Sequence, residues 1–519
     1  MNPERFHGYY WLVLLSLILY VPLILLGGFG TSDDLSLVAH IGSDYWKDLE
    51  YSLSRSGHIS RPIYGIIQTT LLHLFGKSFL LYNICRLALW AVLIYAAHIV
   101  FKKSVGRRNG LLFLFFLSFP IFASSQLFNA MQTGYLLSII FFLLALRSIQ
   151  KENVKWAFRF YFIYFFWSLL ALLACEIVFP LFLFPLLQLW SNSDRRFRNI
   201  LFSTGLVFGL VLILKFVIGP NYQIGNAIYG FSFSMHSFLQ GVYYFFTLSI
   251  ELPLLLFEVI PFYFSEPLLW LSLLVIPLVY WSKSGSSKRL GRSTFINTLI
   301  TIFACSVIFI LSNYPAVTYG LYNKMLLPSH LFVCLALAII CAWLLHSRLY
   351  VIPYVVAVLW FASMEMQVIN SIRSWNKRTE VYADLVPLLD DNTVDYVFVE
   401  VPYFLNSNYN NEPVFSLIED FQGGLILNGY QGMEENIFPF TARMKEDSLY
   451  WPNHNIVNVI RTKKIDNFFC VSASKKAPHY FDTKLRNTNA SEFIVSDDFS
   501  SQKECLREQL RSYISKIFK

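Results

Sequence analysis

Apolar runs of about 20 residues, each long enough to cross roughly 30 Å of hydrocarbon as a helix, recur between residues 9 and 368. A backbone that crosses lipid must satisfy its own hydrogen bonds, so such runs restrict this part of the chain to membrane-spanning helices. The composition agrees, because only 14% of the residues are charged, against about a quarter in a soluble domain. The sequence therefore predicts an α-helical polytopic membrane protein.

About eleven spans are predicted, with boundaries that carry an error of several residues. Segment 237–261 is interpreted instead as an interfacial or re-entrant helix on the outer side, because a crossing there would move the basic Lys283–Arg292 loop outside. The short segment Ile66–Gly76 is also predicted to be interfacial. The predicted spans cover residues 9–29, 79–101, 109–126, 133–149, 157–174, 177–190, 199–218, 266–282, 294–312, 326–346 and 349–368.

Basic residues fall in alternate connections between these spans. The first 368 residues hold 24 Lys and Arg against 13 Asp and Glu, and this excess reports orientation rather than binding to nucleic acid. Because basic loops stay in the cytoplasm, we expect a cytoplasmic N-terminus, with the first loop 31–78 and the tail on the opposite side. The basic connections are Lys102–Arg108, Arg147–Arg159, Arg195–Arg198, Lys283–Arg292 and Arg348.

The tail lacks long apolar runs, which predicts two domains, a membrane domain over 1–370 and a soluble domain over 371–519. Ile372–Leu389 has a helical pattern, and Asp395–Val401, Gly424–Leu427 and Phe468–Val471 have strand patterns. These elements predict a small α/β or α+β fold. The tail holds no glycine-rich phosphate loop, metal-spaced Cys/His set or nucleophile elbow. Pairing of Cys470 with Cys505 is left open.

Charge is concentrated in the first loop, where Asp33 and Asp34 directly follow the first predicted span. Holding a charged carboxylate at the membrane edge costs free energy, and such a residue usually has a function. It could take the proton of an acceptor hydroxyl as general base. The alternative is that the pair caps the next short helix. Of the two, we favour Asp34 because it lies on the helix side.

A cationic group follows in the same loop, made of Arg55, His58 and Arg61. Arginine offers a planar fork of donors that fits a phosphate, so these side chains are candidates for binding a donor phosphate. The alternative is headgroup contact or a salt bridge to Asp44 or Asp48. Lys324 is a further phosphate candidate, although lysine also reaches the interface for purely structural reasons.

Two places could contact a sugar. Glu176 interrupts the apolar segment 157–190, where it could contact an acceptor sugar, act as a second acid, or only serve as a turn residue at the interface. Tyr222 lies in the loop Pro220–Met235, whose aromatic and amide groups suit a sugar but also suit an aromatic belt. Nothing indicates a cofactor, and a divalent metal is left open.

The first loop resembles that of the GT-C glycosyltransferases, and most closely that of bacterial O-antigen-modifying glucosyltransferases with their DD…W…GR-P pattern. Here the pattern is Asp33-Asp34, Trp46 and SGHISRPIYG, in which His58, Ile59 and Ser60 separate Gly57 from Arg61. The resemblance covers residues 30–65 and extends to the rest of the chain only as a layout of many spans with an outer tail.

That resemblance implies transfer of a sugar, glucose for example, from a polyprenyl-phosphate donor to a glycan or lipopolysaccharide acceptor at the periplasmic face of a bacterial inner membrane. It implies a catalytic carboxylate at Asp33 or Asp34, a basic position at Arg61 and a sugar contact at Trp46. Two other functions stay open: a transporter or flippase of lipid-linked glycans, and a glycan polymerase or ligase. No internal repeat supports the transporter, and few arginines lie outside to support the polymerase.

Overall fold

The structure is a computed structural model of the 519-residue chain. It describes residues 7–29, 34–39, 41–54, 61–105, 109–128, 132–150, 157–191, 196–215, 234–283, 292–311, 316, 318, 321–390, 396–400, 418–430, 437–439, 443–445, 448–450, 468–473 and 493–495.

The chain divides into two compact units. The first comprises Met1–Gly27 and Gly42–Ile369, and the second comprises Gly28–Ile41 and Asn370–Lys519. The domain boundaries predicted from composition, 1–370 and 371–519, stay a prediction.

The first unit is helical in the part that is described. Its α-helices are α1 (His7–Leu26), α3 (Tyr45–Ser54), α4 (Pro62–Phe75), α5 (Phe79–Val105), α6 (Asn109–Ser118), α7 (Ser125–Phe128), α8 (Thr133–Ile149), α9 (Ala157–Ala174), α10 (Leu183–Ser191), α11 (Phe197–Ile213), α12 (Met235–Phe246), α13 (Leu252–Phe257), α14 (Ile276–Lys283), α15 (Arg292–Ala304), α16 (Ser306–Ile310), α17 (Leu327–Leu345) and the beginning of α18 (Ile352–Asp390). Four 3₁₀-helical segments also occur, at Glu176–Phe182, Ile260–Phe264, Pro267–Val275 and Leu321–Leu326. One π-helical segment lies at Thr247–Glu251.

Six helices in the described residues are long and apolar enough to cross a membrane: Gly8–Leu26, Phe79–Lys102, Met235–Phe264, Arg292–Ile310, Asn323–Leu345 and Ile352–Glu380. Five of them match predicted spans. Shorter apolar helices of 10–17 residues occupy five more predicted positions, at Thr133–Ile149, Phe160–Ala174, Glu176–Ser191, Phe197–Ile213 and Pro267–Ser282. The helices lie where hydropathy predicts them, but the expected eleven full-length spans are not confirmed.

The segment predicted to be interfacial, 237–261, lies inside one of the six candidate spans. Met235–Phe264 has 30 residues, and a capping box formed by Ser234 and Ser237 begins it. The acidic residues Glu251 and Glu258 lie in its second half. By length and composition the segment is a candidate span, and its interfacial placement stays a prediction.

The predicted span 109–126 is broken. Helix α6 ends at Ser118, after only 10 residues, which measure about 15 Å. Pro120 is the reason, because a proline disfavours helical geometry in the residue before it and lacks an N–H of its own. The residues from Phe119 to Ser124 form turns, and the single turn α7 follows.

This break lies in the interior of the unit, where unsatisfied carbonyl groups would be costly. Neutral side chains from other helices satisfy them. The Trp360 indole donates to the Phe119 carbonyl at 2.6 Å, and the Gln367 amide donates to the Ile121 carbonyl at 2.7 Å. Further partners of the Leu117 and Ser118 carbonyls are Tyr20, Trp90 and His330.

The second unit contains the short helix α2 (Asp34–Ala39), the rest of α18 and helix α19 (Ile418–Leu427). Its strands are β1 (Tyr396–Glu400), β2 (Ile437–Pro439), β3 (Arg443–Lys445), β4 (Ser448–Tyr450), β5 (Phe468–Ala473) and β6 (Phe493–Val495). One sheet has the order β2-β1-β5-β6, in which β1 pairs in parallel with β2 and β5, and β5 pairs antiparallel with β6. β3 and β4 form a separate antiparallel pair.

Two of the three predicted strands are confirmed, at Tyr396–Glu400 and Phe468–Ala473. The third prediction is wrong, because Gly424–Leu427 is the end of helix α19. A four-residue apolar run does not distinguish strand from helix. Tertiary packing decides here, since a Cβ added at Gly424 would lie 2.1 Å from Cζ of Tyr382.

Candidate functional site

Arg61 is positioned by the start of helix α4. Pro62 occupies the first helical position, which pushes the backbone of Arg61 out of helical geometry, at φ −135° and ψ 57°. The Arg61 carbonyl still accepts the first helical hydrogen bond, from the N–H of Gly65 at 3.2 Å. The residue is 5% exposed, so its charge is buried and requires a partner.

The partner comes from a turn 115 residues further along the chain. Helix α9 ends at Ala174, Cys175 is extended, and Glu176 begins a tight helix that contains Pro180. Arg61 Nε donates to Glu176 Oε2 at 2.6 Å, and Arg61 Nη2 donates to Glu176 Oε1 at 2.7 Å. This is a bidentate pair, the strongest geometry available to a guanidinium and a carboxylate.

A second cation binds the same carboxylate. Lys215, in the turn that follows helix α11, donates from Nζ to Glu176 Oε1 at 2.8 Å. Helices α11 and α9 pack together, and Tyr164 and Thr204 share a hydrogen bond of 2.8 Å between them, so Lys215 is held at the end of α9 where Glu176 lies. We call Arg61, Glu176 and Lys215 the ion cluster.

The ion cluster is buried, with side-chain exposures of 6% for Arg61, 12% for Lys215 and 18% for Glu176. Burial alone would raise the pKa of the Glu176 carboxyl, but the two cations outweigh it and hold that pKa well below its usual range. The two cations therefore favour the ionised carboxylate, and the predicted roles of Glu176 as a sugar contact or a second acid stay predictions. Burial also raises the pKa of the neighbouring Cys175 thiol to about 11.

Tyr135 connects the ion cluster to another predicted residue. It lies in the first turn of α8, is 3% exposed and interacts electrostatically with Arg61. Lys324 Nζ lies over the Tyr135 ring, 5.3 Å from its centroid. Tyr64 packs edge-on against the same ring, with the centroids 6.0 Å apart. The structure thus brings together Arg61, Glu176 and Lys324, three of the residues predicted from the sequence.

The partner of Arg61 differs from both expected salt bridges. Asp44 instead lies 3.9 Å from the exposed Lys47, and Asp48 forms a 2.9 Å contact with Nε2 of His73. These two aspartates organise the first loop locally, because Asp48 also accepts from the N–H of Gly42 at 2.9 Å.

Asp34, the preferred catalytic candidate, belongs to the second unit. It is the first residue of α2 and is fully buried, with 0% exposure. The first turn of a helix favours a carboxylate, because the N-terminal N–H groups carry partial positive charge. Its predicted companion Asp33 lies outside the described residues.

Trp46 lies on α3 in the first unit, with 74% of its surface exposed. Its indole packs edge-on against Tyr45, at a centroid distance of 5.2 Å. A sugar contact at Trp46 stays a prediction, and none of its described contacts joins it to the ion cluster. Arg55, His58 and Tyr222 lie outside the described residues, so the predictions for them stay predictions.

Lys215 and Tyr135 were not identified from the sequence. The signal for Lys215 was present, since it is a lone cation in the apolar run Phe208–Gly219, and a charge in such a run needs a partner. Tyr135 gives no comparable signal, because an aromatic residue at the end of an apolar run is typical of any membrane helix.

No metal-binding group appears among the described residues, in which no cluster of three or more His, Cys, Asp or Glu side chains could hold an ion.

Comparisons with known proteins give one structural similarity. No protein-family model matches the chain, and no curated protein sequence matches it. The chain is similar to the crystal structure of ArnT from Cupriavidus metallidurans bound to undecaprenyl phosphate, with a TM-score of 0.40 and 12% sequence identity over 95% of this chain and 98% of ArnT. A TM-score this low does not establish a shared fold, so the functional assignment depends on the chain's own residues.

Proposed function

We propose that the protein is a membrane glycosyltransferase that moves a sugar from a polyprenyl-phosphate donor to a hydroxyl of a glycan. The resemblance of the first loop to O-antigen-modifying glucosyltransferases implies a hexose, such as glucose, as the sugar. It also implies a lipopolysaccharide O-antigen acceptor at the periplasmic face.

The observation that supports the proposal is the grouping of three cationic side chains. Arg61 and Lys215 share the carboxylate of Glu176, and Lys324 lies over the ring of Tyr135. Guanidinium and ammonium groups are the side chains that suit a phosphate group. In such a transfer, the sugar–oxygen bond breaks and the lipid phosphate leaves with the electron pair, so cations that stabilise the leaving phosphate accelerate the step.

The base in this proposal is Asp34, or its neighbour Asp33. Its carboxylate takes the proton of the acceptor hydroxyl as that oxygen bonds to the anomeric carbon. This role follows from the first-loop pattern, in which the catalytic carboxylate is expected at Asp33 or Asp34.

The test is to incubate the purified protein with a panel of polyprenyl-phosphate sugars, each radiolabelled in the sugar, and a glycan acceptor. We expect label in the acceptor together with release of free lipid phosphate. Asp34→Asn is expected to abolish transfer while the protein still accumulates in the membrane and still binds the donor. Asp44→Asn is the matched control, because Asp44 is an exposed first-loop carboxylate outside the proposed site.

Two results would overturn parts of the proposal. Full transfer by both Asp34→Asn and Asp33→Asn would exclude a first-loop aspartate as the base. Movement of intact lipid-linked sugar across a vesicle membrane, without release of lipid phosphate, would identify a transporter instead.

A further inference from the structure

Three polar side chains between residues 125 and 132 are buried without a hydrogen-bond partner in the structure. Within the part of the chain that the structure describes, both amide atoms of Gln126, the hydroxyl of Ser125 and Oε1 of Gln132 are inaccessible and have no hydrogen-bond partner. Gln126 is 0% exposed, Gln132 is 3% exposed and Ser125 is 4% exposed. We call this group the orphan amides.

An unpaired buried amide is costly, and native proteins rarely keep one without a reason. The neighbouring backbone shows that this part of the fold is able to satisfy polar groups, because Trp360 and Gln367 satisfy the Phe119 and Ile121 carbonyls. Asn323 is also fully used. It accepts from the N–H of Ser125 at 3.0 Å and donates to Ser124 and to the Thr318 carbonyl. The orphan amides therefore lie beside polar groups that are hydrogen-bonded, although the buried Oε2 of Glu365 on α18 is also without a described partner.

The orphan amides adjoin the elements that carry the charged site. Helix α7, which contains Gln126, contacts the tight helix Leu321–Leu326 and the beginning of α8. The first of these elements holds Lys324 and the second holds Tyr135, whose ring lies under the Lys324 ammonium. A ligand whose phosphate lies near Lys324 would place its next group beside α7.

We infer that the orphan amides form a subsite for the sugar of the donor, an inference that rests on the proposed function. The unpaired set contains an amide NH2 donor, two amide carbonyl acceptors and one hydroxyl that can do either. All of these groups are neutral, so they match hydroxyl groups rather than an anion. Gln126 is the specificity-determining residue, because it offers both donor and acceptor.

Entry of a ligand requires α7 to shift, since the orphan amides are closed off in this structure. Helix α7 has four residues, and its first turn is held by hydrogen bonds from Gln126 N to the Ala123 carbonyl at 3.5 Å and from Leu127 N to the Ser124 carbonyl at 2.8 Å. Because α7 is so short, few hydrogen bonds break when it moves.

Two glutamines provide a matched pair of variants for the first measurement. Gln126→Leu removes an unpaired amide, whereas Gln367→Leu removes one that is paired with the Ile121 carbonyl. Without ligand, we expect the melting temperature of Gln126→Leu to equal or exceed that of the wild type, and that of Gln367→Leu to fall. A clear fall for Gln126→Leu would mean that its amide is already satisfied, and it would overturn the inference.

The second measurement compares the affinities of undecaprenyl phosphate and undecaprenyl-phosphate glucose for the protein in lipid nanodiscs. Gln126→Leu should weaken binding of the sugar-bearing lipid by about tenfold or more, through loss of its hydrogen bonds, and leave binding of undecaprenyl phosphate unchanged. Equal affinities of wild type and Gln126→Leu for both lipids would overturn the subsite and leave the proposed function intact. Failure of the wild type to bind either lipid would overturn the proposed function itself, and the subsite with it.

Discussion

The first unit satisfies its buried polar groups in two different ways. At the break after α6, side chains on other helices donate to four carbonyl groups, those of Leu117, Ser118, Phe119 and Ile121. In the ion cluster, by contrast, the cations Arg61 and Lys215 share the single carboxylate of Glu176.

The two regions differ in whether charge is removed from water. Neutral donors satisfy the carbonyl groups of the break at a small cost in free energy, because no charge loses its hydration. Partly burying three charges costs more, and a well-packed apolar cluster would often be at least as stable. Under the proposed function, the break serves the fold and the ion cluster serves phosphate binding, and the variants below test that distinction.

The largest expected effect comes from removing one member of the ion cluster. Arg61→Met leaves Glu176 buried with only Lys215 as its described cationic partner, and we expect a loss of about 3–5 kcal/mol in the free energy of unfolding. Adding Glu176→Leu should recover most of that loss, because the unpaired charge is then gone. Denaturant unfolding of the wild type, both single variants and the double variant measures the coupling between the two side chains.

The control for this cycle is Lys47→Met, which removes an exposed cation 3.9 Å from Asp44 and should change stability by less than about 1 kcal/mol. If the double variant recovers stability and also keeps its affinity for undecaprenyl phosphate, the ion cluster is structural, and the contrast with the break disappears.

A smaller effect is expected from pH. Because the folded pKa of Glu176 lies below its ordinary value of 4.5, the ion cluster stabilises the fold fully at pH values above 4.5, and this contribution is lost as the pH falls below it. The difference in unfolding free energy between wild type and Glu176→Gln should therefore shrink between pH 6 and pH 3. A difference that stays constant over this range would show that Glu176 is not held ionised by its cations.

The smallest effect is expected at the break. Trp360→Phe keeps an aromatic ring but removes the indole donor to the Phe119 carbonyl, which still accepts from the N–H of Ile121, so the cost should be about 0.5–1.5 kcal/mol. Affinity for undecaprenyl phosphate should not change. Weaker lipid binding in this variant would mean that the break also shapes the site, and the two regions would then no longer be separable.

Much of the helical layout could be predicted from the sequence. Five of the six candidate spans lie where the apolar runs predict them, because a long apolar run in water or lipid has few alternatives to a helix. The span predicted over 109–126 is broken, because Pro120 ends helix α6 early. The interfacial placement of 237–261 stays a prediction, since Met235–Phe264 is also long and apolar enough to cross a membrane.

The candidate site was predictable only residue by residue. Arg61, Glu176 and Lys324 attract attention in the sequence because isolated charges in apolar surroundings need a reason. Their partners are not visible there, since Glu176 is 115 residues from Arg61 and 39 residues from Lys215. The expected partners Asp44 and Asp48 are closer in the chain, but they form other contacts.

The sequence by itself determined that this chain is built of apolar helices and that a few charged residues among them must be paired, because hydropathy and the cost of buried charge are local properties. Only the tertiary structure decided which charges meet, which carbonyls Trp360 and Gln367 satisfy, and which amides have no partner. Those outcomes depend on how helices distant in the chain pack together, and a hydrogen bond forms only where that packing brings donor and acceptor within about 3 Å.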